Sequence, residues 1–526
     1  MKKIFSSLCI VSLSLACLPA GMALDWMNLA PAFAADTSNE TIRVGSKKFT
    51  ESVILGEIVR QLLQSSNEPG QRHPVLHRAE LGGTRILWSA LQSGDLDLYP
   101  EYTGTLTEEL LPKGVANSED AIRSALKAQS IGMTRSLGFN NTYAVGMKKS
   151  LAKRLSIRTL TDLKTHPELK LGLSSEFKQR PDGWPAVQKR YALPQRNIKA
   201  LDHEVAYRAL ESDEIDLVDL YSTDAEIDYY QLLVLEDDLK VFPRYESVLI
   251  YRLDLLQRAP EVGAFLTKLE GSISETEMIS LNADAKIRHI PEAKVAQDFL
   301  NAHFGIQRTQ ATESVAFQIL ERLREHLGLV LKSMFFSILV ALPLGIWASR
   351  RPWSGQVILT TVGIIQTIPA LALLVMLIRP LKALGFQGIG DTPAVVALFL
   401  YSLLPMVRNT HSGLSGISQQ IRESAEVLGM KSFARLRLIE LPLASSFILA
   451  GIKTAVVINI GFATLGALVG AGGFGQPILT GIRLDDHSLI LQGAVPAALL
   501  ALAAQGFFEV LERWIVPRGL KLKSRA

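Results

Sequence analysis

The chain has 526 residues, 48% of them hydrophobic, and a formal net charge of +4. A single hydrophobic core rarely grows past roughly 250 to 300 residues, so this length predicts more than one domain. The small positive charge is not gathered into a basic patch with interleaved aromatic residues, which argues against nucleic acid as a partner.

The first 34 residues have the layout of an export signal. Lys2 and Lys3 precede a long apolar stretch, and a small-residue cleavage site ends at Ala34. We therefore predict a signal peptide at 1–34, with an uncleaved signal anchor as the alternative. Both cysteines, Cys9 and Cys17, lie in this segment. Cleavage would leave a chain without disulfides or thiolate sites.

Residues 41–302 have the pattern of an exported α/β domain. Strand-like runs at 41–45 and 75–81 alternate with helical patterns such as 51–63. This alternation predicts largely parallel sheets.

One segment of this domain occurs twice. Residues 90–98 and 209–217 are identical at five of nine positions, and without a gap Tyr102 aligns with Tyr221. Each copy reads as a helix end, a turn and a strand that leads to the tyrosine. Ligands of open α/β sheets bind at the carboxyl ends of strands. We expect two similar lobes that meet across a cleft, each with one of these tyrosines.

The domain resembles the periplasmic binding proteins for glycine betaine, choline and related osmoprotectants. The matching stretches are 45–51, 82–84, 99–105, 139–143, 180–183, 221–224 and 242–245. The resemblance implies a box of four tyrosines around the ligand cation, with basic and hydroxyl groups on a carboxylate. The positions that match the box are Tyr102, Tyr143, Tyr221 and Tyr245, and those that match the anion contacts are Lys47, Thr105 and Arg180.

The chemistry of these side chains suits such a ligand. A trimethylammonium group has no N–H to donate, so aromatic faces must select it, each contributing on the order of 0.5 to 2 kcal/mol. Arginine adds a planar fork that fits a carboxylate. We expect the two lobes to close over the ligand about a hinge near Tyr143 and Tyr245. Which quaternary-ammonium compound is bound stays open at this point.

No catalytic site, metal site or cofactor is expected in this chain. Asp95, Asp97, Asp216 and Asp219 are interpreted as turn and strand-end residues, because no histidine shares their spacing.

The second half of the chain, 327–526, has the pattern of a membrane domain, and 303–326 is predicted to be a linker helix. Apolar segments of spanning length predict about five transmembrane helices, at 327–348, 357–378, 393–407, 443–469 and 489–508. With residues 41–302 outside, the inner segments hold twelve basic residues and the outer loops only three. The positive-inside rule thus agrees with the export signal.

The longest inner loop carries a spaced motif. Glu423 and Ala425 are followed by Gly429 and by Ile439, Leu441 and Pro442. This spacing resembles the cytoplasmic loop of permease subunits of ATP-binding-cassette (ABC) importers, and the whole membrane half resembles their osmoprotectant branch. A helix, a turn opened by glycine and a second helix closed by proline are expected.

The resemblance implies an importer subunit, located in the inner membrane, whose ATPase is a separate cytoplasmic chain. No phosphate-binding loop ending in Gly-Lys-Ser/Thr occurs in the sequence. Five spans make half a pathway, so a homodimer is expected. Two alternatives remain: a membrane-anchored solute sensor, or an importer of another cationic or zwitterionic solute such as a cationic amino acid.

Overall fold

The computed structural model describes residues 41–65, 73–112, 114–115, 118–306, 315–484 and 486–517. The predicted signal peptide at 1–34 lies outside these residues, as do 307–314 of the predicted linker and the basic residues beyond 517.

The first half of the chain contains two mixed five-stranded sheets. The ten strands are β1 Ile42–Gly45, β2 Val75–Arg78, β3 Leu98–Tyr102, β4 Ile131–Met133, β5 Tyr143–Lys148, β6 Leu171–Ser174, β7 Ile198–Leu201, β8 Leu217–Tyr221, β9 Leu232–Val234 and β10 Ser247–Arg252. Their order is β2-β1-β3-β10-β4 in the first sheet and β7-β6-β8-β5-β9 in the second. We call the two sheets with their helices lobe 1 and lobe 2. The predicted two-lobed α/β class is confirmed.

Helices cover the faces of the two sheets. The longer ones are α1 Thr50–Gln64, α2 Thr84–Ser93, α3 Glu119–Lys127, α4 Lys149–Leu155, α5 Trp184–Tyr191, α6 His203–Glu211, α7 Glu261–Leu269, α8 Glu275–Lys286 and α9 Glu292–Phe304. Helix α1 buries Ile54, Ile58 and Leu62 along one face. These residues recur every four positions, so they form one apolar stripe that packs against the sheet.

The sequence repeat is a structural repeat. Strands β3 and β8 hold the same central place in their sheets, and each ends on its aligned tyrosine. The preceding turns also correspond, because Gly94 and its aligned Asp213 both have positive φ, 77° and 58°. Aspartate is one of the few residues besides glycine that tolerates this conformation.

The chain crosses between the lobes twice. It leaves lobe 1 after β4 to begin β5, and it returns after β9 to begin β10. A β-bridge between Asn140 and Glu246 joins the two crossing segments. Tyr143 and Tyr245 flank this bridge, at the place where the sequence predicts a hinge.

The second half is helical. Its longer helices are α10 Val315–Arg350, α11 Pro352–Thr367, α12 Ala370–Ala383, α13 Asp391–Ser415, α14 Gln419–Val427, α15 Leu441–Ala463, α16 Gly475–Arg483 and α17 His487–Ile515. Four helical segments among the described residues, Val315–Arg350, Asp391–Ser415, Ser432–Val469 and His487–Ile515, are long and apolar enough to span a membrane. The count is five if the bent pair of α11 and α12 is one span, and four if that pair is a re-entrant loop, against a prediction of about five.

The second predicted span, 357–378, is not one straight helix. Helices α11 and α12 meet at an angle of 103°, with Pro369 immediately before α12. Proline has no N–H and its ring clashes with the preceding helical turn, so an unbroken helix is disfavoured there. The average hydropathy of an apolar run does not show whether the helix bends within it.

The two halves of the chain are in contact. Arg483 at the end of α16 pairs with Glu80 of lobe 1 at 2.6 Å, and Lys382 pairs with Asp95 at 3.1 Å. Ile389 of the membrane half is buried in the apolar cluster beneath α2 of lobe 1. The interpretation of Asp95 as a turn residue missed this contact.

Candidate solute-binding site

A cavity of about 370 Å³ opens between the two lobes. All seven residues assigned from the sequence line it: Lys47, Tyr102, Thr105, Tyr143, Arg180, Tyr221 and Tyr245. Lobe 1 contributes the loop after β1 and the end of β3, while lobe 2 contributes the ends of β6 and β8. The strand ends of the two sheets therefore converge on one space, as expected for open α/β sheets.

Three of the four tyrosine rings are in direct contact. The ring centroids of Tyr143 and Tyr221 are 5.1 Å apart, and those of Tyr143 and Tyr245 are 5.5 Å apart at an interplanar angle of 86°. Tyr102 joins them through Phe49, whose ring lies 6.2 Å from Tyr102 and 5.8 Å from Tyr221. The aromatic lining is thus continuous from one lobe to the other.

Phe49 and His203 are two lining residues that the sequence assignment missed. Phe49 lies in the matching stretch 45–51, between β1 and α1, so its position at a strand's carboxyl end was a usable signal. His203 begins α6, and its ring lies 4.9 Å from Tyr221. A lone histidine at a helix start carries no such signal. It hydrogen-bonds to Asp224 at 3.1 Å.

A buried carboxylate holds the lobes together beside the cavity. One oxygen of Glu51 accepts hydrogen bonds from the Tyr102 hydroxyl at 2.6 Å and the Asn141 amide at 2.8 Å. Its other oxygen accepts from Thr223 of lobe 2 at 2.5 Å and from Asn282 at 3.2 Å. Burial raises the pKa of Glu51, although these hydrogen bonds act in the opposite direction.

The two basic residues of the site are already paired within the protein. Lys47 Nζ donates to Glu101 and lies 5.3 Å from the Tyr102 ring centroid. Arg180 makes two bonds to Asp182, at 2.9 and 2.5 Å, and one to Glu109 at 2.8 Å. These bonds use three of the five guanidinium N–H groups, so two make no hydrogen bond to the described residues, although Nη1 also lies 3.9 Å from Glu176.

Asp182 links Arg180 to one of the tyrosines. The Tyr245 hydroxyl donates to Asp182 at 2.6 Å, and the Arg180 guanidinium lies 5.4 Å from the Tyr143 ring centroid. The anion and cation subsites assigned from the sequence therefore share a wall of the cavity. Thr105 is buried near the end of β3.

The inner loop of the membrane half has the expected helix and glycine turn. Helix α14 contains Glu423 and the buried Ala425, and Gly429 follows with a φ of 74°. The second helical stretch does not end at the proline, contrary to expectation. It continues into α15 through a π-helical turn at Leu436–Glu440. Such a wide turn just before Pro442 accommodates the ring and the missing N–H.

Ile439 and Leu441 lie on either side of Glu440, the anchor of this loop. Glu440 is only 1% exposed and pairs with Arg350 of α10 at 2.7 Å. Arg435 is a second partner, at 3.4 Å. By contrast, Val427 and Leu428 of the same loop are 88% and 78% exposed. The loop is thus fixed to the helix bundle and presents apolar side chains outward.

Comparison with protein-family models divides the chain in two. Residues 40–302 match the substrate-binding domain of ABC-type glycine betaine transport systems. Residues 341–518 match the inner membrane component of binding-protein-dependent transport systems.

Individual relatives agree with the second of these matches. The permease protein OpuCB of a glycine betaine/carnitine/choline transport system from Bacillus subtilis is 39% identical, over 39% of this chain and 91% of its own length. The osmoprotectant import permease protein OsmW of Salmonella typhimurium is 37% identical, over 42% of this chain and 98% of its own length. A crystal structure of a glycine betaine/carnitine/choline ABC transporter is 30% identical and covers 50% of this chain and 98% of that one, with a TM-score of 0.44.

Proposed function

The chain belongs to the family of ABC importers for glycine betaine and related osmoprotectants, with binding domain and permease in one polypeptide, and we propose that it captures its solute in the tyrosine-lined cavity. It functions in the import of small osmoprotectants such as glycine betaine, choline or carnitine, as a multi-pass protein of the inner membrane. It is a transporter and not an enzyme of metabolism. A membrane-anchored sensor and an importer of cationic amino acids are not favoured.

One observation supports the assignment of the site most strongly: four tyrosines from both lobes line one cavity together with Phe49. Aromatic faces attract a quaternary ammonium group, which offers no N–H for hydrogen bonding. The hydroxyls of Tyr102 and Tyr245 donate hydrogen bonds to Glu51 and Asp182, and these bonds hold the two rings in place. Closure of the lobes would then bring these held ring faces around the solute cation.

The proposed anion subsite consists of Lys47, Thr105 and Arg180. Glu101 balances Lys47, while Asp182 and Glu109 more than balance Arg180, so this subsite has no net positive charge. It supports binding of zwitterions and of cations without a carboxylate. This arrangement suits a range that includes both glycine betaine and choline.

The ATPase is proposed to be a separate cytoplasmic chain that binds the inner loop. The exposed apolar side chains of Val427 and Leu428 suit a groove on a protein partner. Since Glu440 ties this loop to α10, movement of the loop would be transmitted to the membrane helices. No cofactor is proposed in this chain, and ATP is assigned to the partner.

We further propose a signal peptide at 1–34, a periplasmic solute-binding domain at 41–302, a linker helix at 303–326 and a permease domain at 327–526. The binding domain would lie on the periplasmic side. Two copies of the chain would form the pathway, with two ATPases and without any role for nucleic acid. Lobe closure would occur at the crossing segments around the Asn140–Glu246 bridge.

Reconstitution tests this proposal. The purified chain is placed in liposomes with its ATPase, and uptake of labelled choline and glycine betaine is measured with and without ATP. ATP-dependent uptake is expected, while the chain alone should hydrolyse no ATP. Hydrolysis by the chain alone, or a complex that contains one copy of it, would contradict the proposed assembly.

A further inference from the structure

The solute cavity is not formed by the binding domain alone. Four of its lining residues, Leu468, Leu479, Ile482 and Arg483, belong to the permease half. Three of them lie on the short helix α16, which follows the glycine-rich stretch 470–475. Helix α16 therefore covers one side of the space into which the tyrosines face.

Arg483 fastens this helix to the binding domain. Its guanidinium lies 2.6 Å from a carboxylate oxygen of Glu80 and 2.6 Å from one of Glu292, and only 6% of the residue is exposed. Burial by itself lowers the pKa of Arg483, but the two carboxylates outweigh it and the net shift is upward. Glu80 also accepts hydrogen bonds from Gln476 and Thr480 on the same helix. Three side chains of α16 thus converge on one carboxylate of lobe 1.

A short chain of contacts leads from Arg483 to the tyrosines. Arg483 donates to the Thr50 hydroxyl at 3.0 Å, and Thr50 begins helix α1. The next residue is Glu51, which holds Tyr102 and also Thr223 of lobe 2. A shift of Arg483 would therefore act on the first turn of α1, where the two lobes are joined.

We propose that α16 is a lid over the solute cavity, that Arg483 latches it to Glu80 and Glu292, and that this latch slows the escape of bound solute. The inference rests on the proposed function of the cavity. The permease half then determines how long the solute is held, in addition to providing the path across the membrane. The molecule held beneath α16 is the small quaternary-ammonium solute itself.

The test measures solute dissociation from the full-length chain in lipid nanodiscs. Labelled choline and glycine betaine are bound, and their release is followed after dilution. Removing one partner of a buried ion pair is strongly destabilising, so Arg483→Ala should accelerate release about tenfold or more. Arg483→Lys keeps the charge without the planar fork and should give an intermediate rate.

Lys382→Ala is the matched control. It removes another ion pair between the halves, to Asp95 at 3.1 Å, but Lys382 does not line the solute cavity. Release from this variant should stay within about twofold of the parent, since the pair lies away from the cavity and Asp95 keeps its hydrogen bonds from Ser93 and Gly388. Equal acceleration in both variants would show a general loss of docking and overturn the lid.

A second variant tests the latch in case Arg483→Ala does not fold. The triple change Arg483→Leu with Glu80→Gln and Glu292→Gln removes the charge from all three side chains of the latch, and it should also release solute faster than the parent. Unchanged release in this folded variant would overturn the latch while leaving the proposed function intact. A parent chain that binds neither solute would overturn the proposed function and the latch together.

Discussion

Tyr143 and Tyr221 are register partners on the adjacent antiparallel strands β5 and β8, with ring centroids 5.1 Å apart. Tyr143 is also the first residue of lobe 2's β5, directly after the chain has crossed from lobe 1. Tyr143 therefore belongs both to the wall of the cavity and to the segment by which the chain crosses between the lobes. Movement of the lobes would change the distance between these two rings and Tyr102 of lobe 1.

The first prediction concerns Tyr221. Tyr221→Ala should weaken binding of both choline and glycine betaine by about 1 to 2 kcal/mol, roughly five- to thirtyfold, because one aromatic face is lost. Tyr221→Phe should cost much less, since the ring face remains. Calorimetric titration of the full-length chain measures both. Parent-like affinity of Tyr221→Ala for both solutes would show that this ring is not part of the cation site.

The second prediction separates the anion subsite from the aromatic one. Arg180→Lys keeps the positive charge beside Asp182 but loses the planar fork with its two unused donors. Glycine betaine should bind about tenfold more weakly, whereas choline, which has no carboxylate, should change by less than about threefold. Equilibrium binding of both solutes to this variant gives the comparison. Equal losses would refute a carboxylate contact at Arg180.

The third prediction concerns the inner loop. Gly429 has a φ of 74°, and no atom lies within 4 Å of an added Cβ, so Gly429→Val introduces backbone strain without a clash. Uptake should be lost while solute affinity stays at the parent value. Gly271→Val is the control, because Gly271 has a similar φ of 66° and equally open surroundings in the binding domain. Normal ATP-driven uptake by Gly429→Val would exclude the turn from coupling.

The fourth prediction is a pH dependence from Glu51, whose pKa is raised by burial above the usual value of about 4.3. The folded protein then holds this proton more tightly than the unfolded chain does. The resulting stability is complete below about pH 4.3 and is lost as the pH rises through the folded-state pKa.

Glu51→Gln cannot ionise and lacks this dependence. The unfolding midpoint of the parent minus that of the variant should therefore be largest near pH 4 and decrease toward pH 8. Tryptophan fluorescence of the full-length chain follows the transition. A difference that grows with pH would contradict the raised pKa.

The sequence was sufficient for the parts of this protein that leave a local pattern. The repeat that pairs Tyr102 with Tyr221 predicted two lobes, because each copy carries its own turn and strand. The apolar runs predicted about five spans, where the described residues have four or five. Both signals come from residues that are close together in the chain.

Contacts between distant residues left no such pattern. Glu51 receives hydrogen bonds from residues up to 231 positions away, and Glu80 meets Arg483 across 403. Nothing in the neighbourhood of either carboxylate indicates its partners. The 103° bend between α11 and α12 was missed for another reason: the spans were assigned from average hydropathy, although Gln366, Thr367 and Pro369 interrupt the apolar run at the bend.

The most direct test of the central claim compares choline with 3,3-dimethyl-1-butanol, which has the same shape but carbon in place of the charged nitrogen. Both are titrated calorimetrically into the full-length chain. If aromatic faces select the cation, choline should bind at least about tenfold more tightly, since desolvated cation–π contacts contribute on the order of 0.5 to 2 kcal/mol each. Equal affinity for the two compounds would mean that the cavity selects shape alone, and would contradict the account.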